Sequence, residues 1–283
     1  MRRQKHQAHP RRFKAPVIFA ACLQCYRMLT PGCLTSKPQG AFVVCQRAQR
    51  RRLPQKAKSD NLEVAVGPAS GYEHTCTLVY LHGYCRCGSE YLPKGPLAFC
   101  MPWVAGGDQA RGLRAVLPTA QFLEQPWGEN STSWYGYASP NHNRVGDPQS
   151  LAETRRRLDA LVRQEVSRLG GRQVFLGGAS QGCTMALDVY IRLASELELG
   201  GFVGSVGFVP TDSKGFLGSN RALRKLLADK EQAARPVWLQ CAMDDFTAVP
   251  WRSVVEPSLR HASRLPGLCL RQVMGRGHGI EEW

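Results

Sequence analysis

The sequence predicts an α/β fold, a mostly parallel central sheet flanked by helices, and two observations carry that expectation. From residue 75 onward, short β-rich apolar runs alternate with longer amphipathic stretches, the order that builds strand–helix–strand crossovers. The runs are also nearly continuous in apolar character, which suits strands covered on both faces.

The elements follow in chain order. Candidate strands are 75–81 (TCTLVYL), 114–117 (RAVL), 173–176 (QVFL), 202–208 (FVGSVGF), 236–240 (PVWLQ) and 268–273 (LCLRQV). Between the second and third, Ser150-Leu151-Ala152-Glu153 reads as a capping box. Leu151, Leu158, Leu161, Val162, Val166 and Leu169 then set an apolar stripe at helical spacing. Gly170-Gly171 ends that helix. A second helix is expected over 183–193. No repeat is visible and no Pro/Ser-rich linker interrupts residues 60–283, so they are read as one domain behind a leader of residues 1–59.

Composition narrows the class. A chain of 283 residues with 43% hydrophobic content, 28 Gly and 18 Pro is ordinary for a globular protein, and excludes collagen, coiled coil and wholesale disorder. The net charge of +15 would suggest an anionic partner, but its distribution argues otherwise. Residues 1–59 hold 14 Lys/Arg and no Asp or Glu, whereas the remaining 23 basic and 22 acidic side chains leave the body at +1. Only Phe13, Phe19, Tyr26 and Phe42 punctuate the leader, which lacks the aromatic interleaving of a base-stacking segment, so no nucleic-acid partner is expected. The leader reads as low-structure: a basic tail, an over-extended gene model or a transit-like targeting segment. The body is accordingly placed in the cytoplasm, or in a plastid or mitochondrion if the leader is a transit peptide. The apolar run 15–23 is too short to span a bilayer, and no transmembrane segment is expected.

Eleven Cys at irregular spacing do not make a disulfide framework in a chain this long, so reduced thiols are expected. Cys22, Cys25 and Cys33, and His82, Cys85 and Cys87, lack a second pair at zinc-finger spacing, and no metal or cofactor is expected.

Chemistry concentrates where the strand QVFL runs into Gly177-Gly178-Ala179-Ser180-Gln181-Gly182. A G-x-S-x-G between strand and helix is a nucleophile elbow: small neighbours permit a sharp turn that exposes the serine hydroxyl. Ser180 needs a base and an orienting acid. An acidic turn, Asp244-Asp245, follows the strand PVWLQ, and His278 lies in a Gly-rich loop after the last strand, the order acid then histidine. His82-Gly83-Tyr84 follows the first clear strand, so the Tyr84 amide is the candidate second oxyanion donor beside that of Gln181. His82 is read as holding this loop by hydrogen bonding.

These blocks together resemble the acyl-protein thioesterase, or phospholipase/carboxylesterase, family of α/β-hydrolases. LHGYCRCGSEYL resembles its L-H-G-x-G segment, LPTAQF its L-P-T-A-P segment and STSWYGY its S-W-F-D segment. GGASQG is similar to its G-G-F-S-Q-G elbow, GFVGSVGFVP to its fifth-strand segment and GRGHG to its G-x-G-H end. The resemblance runs from about residue 75 to the C-terminus. It implies Ser180 as nucleophile, His278 as general base and Asp245 as orienting acid, since Cys241-Ala242 stands in the family's His-Gly place ahead of the acid. It also implies oxyanion donors at Tyr84 and Gln181, substrate contacts at His82, Gly83 and Trp134, and no cofactor. The implied substrate is an acyl ester or thioester, on a lipidated protein or small lipid, with peripheral membrane contact. Four departures stand out. Cys85 and Arg86 replace the family's Gly and common Asp, the segment 245–250 is one residue longer, Val206-Gly207 replaces a Ser-Gly pair, and only 279–283 follow His278. They motivate a second expectation, a hydrolase fold used as a binding scaffold.

Overall fold

A computed structural model describes residues 63–98, 110–140, 145–208, 217–246, 249–258, 263–274 and 277–278. The leader 1–59, with its Cys22, Cys25 and Cys33, lies outside the described residues. The strands are β1 (Glu63–Val66), β2 (Cys76–Leu81), β3 (Leu113–Pro118), β4 (Phe122–Glu124), β5 (Asn130–Thr132), β6 (Val174–Ala179), β7 (Gly201–Ser205), β8 (Val237–Ala242) and β9 (Leu268–Val273). Seven of them form one sheet in the order β1-β3-β2-β6-β7-β8-β9. Only β1 runs antiparallel to its neighbour; every other pairing in this sheet is parallel. β4 and β5 form a separate antiparallel hairpin.

Alternation along the strands divides the interior into two cores. Val79, Leu81, Val116, Val174 and Leu176 face the larger one with helices α1 (Pro148–Leu169) and α2 (Gln181–Leu197). Leu78, Tyr80, Ala115, Leu117 and Phe175 face the other with Tyr91, Leu97 and Trp238. Both faces of β2 and β6 are therefore dry, the reason their sequences read as unbroken apolar runs. Helices α3 (Leu217–Ala228) and α4 (Lys230–Ala233) precede β8. No helix among the described residues is long and apolar enough to cross a membrane.

Two expectations need correction. The first helix starts earlier than the capping box at Ser150: Asp147 is the N-cap, accepting the Gln149 N–H at 2.9 Å, with Pro148 in the first turn. Pro at that point has no N–H to orphan and carries a helical φ, so Asp-Pro outcompetes Ser150. Ser150 Oγ instead takes the Gly136 N–H. Second, the strand expected over 202–208 stops at Ser205, because Val206 turns to φ 47° while its N–H donates to Gln240 O. As expected, Gly170 ends α1, at φ 90°.

Two buried ion pairs fix α1. Arg155 meets Asp188 of α2 through two bonds of 2.8 Å, and Arg114 of β3 reaches Glu165 at 3.1 Å. Bidentate geometry of this kind compensates the desolvation of Asp188, which is wholly buried.

Candidate active site

Ser180 sits between the C-terminal end of β6 and the first turn of α2, with φ 52° and ψ −121°. A non-glycine residue at positive φ is strained, and here the surroundings hold it. The Ser180 N–H donates to Ser205 O on β7, and its carbonyl receives the Thr184 N–H, the first bond of α2. The two glycines of the motif are required by space. A Cβ on Gly178 would lie 2.6 Å from the Gly182 carbonyl, and a Cβ on Gly182 would strike the Leu81 and His82 carbonyl oxygens. α2 can therefore start hard against the end of β2 only with glycine at both places.

The structure brings three of the anticipated side chains into one line. Ser180 Oγ is 2.8 Å from His278 Nε2, and His278 Nδ1 is 2.6 Å from Asp245 Oδ2. A carboxylate only accepts, so the Nδ1–H donates to Asp245 and Nε2 is left to accept from Ser180. Asp245 is almost fully buried and Oδ2 also receives the Val249 N–H at 3.0 Å, while His278 is part-exposed. Asp244 is turned elsewhere: its Oδ2 takes the Gly277 N–H at 3.1 Å, immediately ahead of His278. The adjacent acids thus divide the imidazole and its supporting backbone between them.

One expected oxyanion donor lies on the loop after β2. The Cys85 N–H donates to Thr132 O, and Cys85 has φ 61°. This is the left-handed conformation that favours glycine, here adopted by a cysteine. The Cys85 thiol packs against Ser131 Oγ at 3.1 Å and Glu129 at 3.4 Å, and burial pushes it up to about 12. Tyr84 precedes it, with its ring edge-on to Tyr137. Gln181 occupies the first position of α2, where geometry denies the N–H an acceptor within the helix.

His82 and Trp134, anticipated as substrate contacts, are instead enclosed, with 0% and 1% of their surface exposed. His82 Nε2 accepts the Ala120 N–H at 2.9 Å, its Nδ1–H donates to Gly83 O at 2.6 Å, and Trp134 Nε1–H donates to His82 O at 2.7 Å. These contacts employ both ring nitrogens of His82 in holding the loop, and burial lowers its pKa to about 4. Gly83 O accepts from His82, so this glycine too serves the loop. The Gln181 side chain was not foreseen: it binds Trp134 N–H, Ser133 Oγ and Tyr135 O. A glutamine after the serine is visible in the sequence, but its partners, 46 to 48 residues away, are not.

Solved structures share this architecture. The chain is similar to acyl-protein thioesterase 2 of Zea mays, with TM-score 0.56 and 17% identity over 76% of this chain and 90% of that one. It is likewise similar to a phospholipase/carboxylesterase of Dyadobacter fermentans, with TM-score 0.54 and 17% identity over 77% and 91%. The fold is that of an α/β-hydrolase. The family model for phospholipase/carboxylesterase matches residues 68–225, more than half of the sequence, and the chain belongs to that family. The matched span contains Ser180 and stops short of Asp245 and His278. Among curated proteins it is 28% identical over 147 residues to acyl-protein thioesterase 1 of Cryptococcus neoformans var. neoformans, covering 50% of this chain and 58% of that protein. The chain thus spans a little over half the length of the curated relatives it matches.

Proposed function

We propose that the protein is a serine hydrolase of acyl thioesters or carboxylic esters, acting through an acyl-enzyme. The observation that carries this reading is the unbroken line Ser180 Oγ–His278 Nε2 and His278 Nδ1–Asp245 Oδ2 at an elbow of strained φ. His278 Nε2 takes the Ser180 proton as Oγ bonds to the acyl carbon, and the carbonyl electron pair becomes an oxyanion. The Tyr84 and Gln181 amides receive that charge; Asp245 holds the imidazolium. His278 then returns the proton to the departing alcohol or thiol, and water, activated by the same nitrogen, releases the acid. The curated relative's name and the description of the matched family favour an acylated protein or a phospholipid as substrate. Exposed Phe246, beside Asp245, and Met274, four residues before His278, suit apolar acyl groups and contact with a membrane surface. With no acid in residues 1–59, the leader would direct a cytoplasmic protein elsewhere only if it is read as a transit signal.

The experiment is hydrolysis of a p-nitrophenyl acyl ester by wild type and Ser180→Ala. Loss of nearly all turnover in the variant is expected; undiminished turnover removes Ser180 from the mechanism. A panel of acyl-CoA, palmitoyl-peptide, lysophospholipid and short aryl ester then selects the substrate class.

A further inference from the structure

The two candidate oxyanion donors sit on different segments, the Tyr84 amide on the loop after β2 and the Gln181 amide on α2. One buried residue touches both segments. Trp134 donates its indole N–H to His82 O at 2.7 Å and its backbone N–H to Gln181 Oε1 at 2.9 Å, and its ring lies 4.8 Å from that of His82. Flanking contacts run the same way: Thr132 O accepts the Cys85 N–H on the loop side, while Ser133 Oγ and Tyr135 O accept from Gln181 Nε2 on the helix side. The network is enclosed, and its bonds use both N–H donors of Trp134.

We propose that Trp134 is a positioning residue that fixes the separation of the Tyr84 and Gln181 amides, the segment 132–135 acting as a crossbar between them. The proposal rests on the hydrolase reading above. Oxyanion donors act only within about 2.7–3.1 Å of the oxygen as it develops, so a few tenths of an ångström at the crossbar reach the transition state while leaving the bound ester little affected.

The test compares wild type, Trp134→Phe and Gln181→Ala with Val162→Ala, a core truncation on α1 away from the crossbar. Phenylalanine keeps an aromatic ring but removes the indole N–H together with the pyrrole half of the bicycle, so Trp134→Phe also leaves a small cavity, and Val162→Ala supplies the matching core truncation. Removal of a whole oxyanion donor costs about 10²–10³ in kcat, so its displacement should lower kcat for the p-nitrophenyl ester by about 10- to 100-fold. KM should stay within about twofold, and affinity for a trifluoromethyl ketone, which adds Ser180 Oγ to give a tetrahedral oxyanion, should fall in parallel with kcat. Val162→Ala should lower Tm and leave kcat unchanged. Folded Trp134→Phe and Gln181→Ala proteins with wild-type kcat overturn the proposal, as does a kcat loss matched by Val162→Ala at equal Tm. Should Trp134→Phe fail to fold, Gln181→Ala decides by the same criteria. Wild-type hydrolysis abolished by Ser180→Ala isolates the proposal from the reading beneath it; absence of wild-type hydrolysis overturns both.

Discussion

His82 makes the protein's stability depend on acid in a calculable way. An amide N–H can only donate, so the bond from Ala120 requires His82 Nε2 to stay unprotonated, with Nδ1–H committed to Gly83 O. Protonation would break the Ala120 bond and place a cation in a fully enclosed site. Burial first, then Arg157 and Arg86, hold the folded-state pKa at about 4, against about 6.5 in an unfolded chain. Because the folded value is the lower one, the unfolded state takes up the proton first as pH falls. The contribution is intact above about pH 6.5, is reduced by about 2 kcal/mol at pH 5 and by about 3 kcal/mol at pH 4, where it levels off. Urea unfolding of wild type and His82→Gln across pH 4 to 7.5 isolates this effect, since every other histidine and every carboxylate is present in both proteins. The variant should be less stable at neutral pH, yet its curve should fall about 2 kcal/mol less between pH 7 and 5. Parallel curves would refute the assigned protonation state.

Further outcomes follow from the same geometry. Asp245→Asn should lower kcat by roughly 10⁴, because an amide permits the wrong imidazole tautomer, with the fold retained by circular dichroism. Asp244→Asn keeps an acceptor for the Gly277 N–H and should retain most activity, whereas Asp244→Ala should lose more; equal loss in both would show that the bond is immaterial. Gly182→Ala should separate α2 from β2 and abolish fluorophosphonate labelling of Ser180, read by gel against a folding control. Asp188→Ala leaves Arg155 of α1 without its bidentate partner and should cost about 3 kcal/mol in denaturant unfolding.

What was legible in the sequence followed from local physics. The runs that became β2, β6 and β8 are buried almost throughout, and a dry strand must be apolar, so their composition gives them away; β9 is a part-exposed edge strand paired with β8 and carries Arg271 and Gln272 among its apolar residues. β1 is four residues with alternate positions exposed, and β4 and β5 are three each, lengths at which periodicity carries no signal. At the start of α1 two local capping signals compete three residues apart, and the Asp147–Gln149 and Ser150–Gly136 contacts show which prevails. Ser180, His278 and the acidic turn Asp244-Asp245 could be nominated from motif order, since each follows a strand end; the choice of Asp245 within that turn rests only on the family resemblance. The crossbar could not be. Trp134, Gln181 and His82 meet through bonds spanning 47 and 52 residues, and a buried tryptophan reads in sequence like any apolar anchor.

The strand order also has a practical meaning for handling the protein. β1 and β9 are opposite edges of the sheet, six inter-strand steps apart, or about 29 Å at roughly 4.8 Å per step. Everything ahead of Glu63 joins the body at the β1 edge, so an affinity tag, protease site or truncation placed there is introduced at the strand most distant from the one leading to His278.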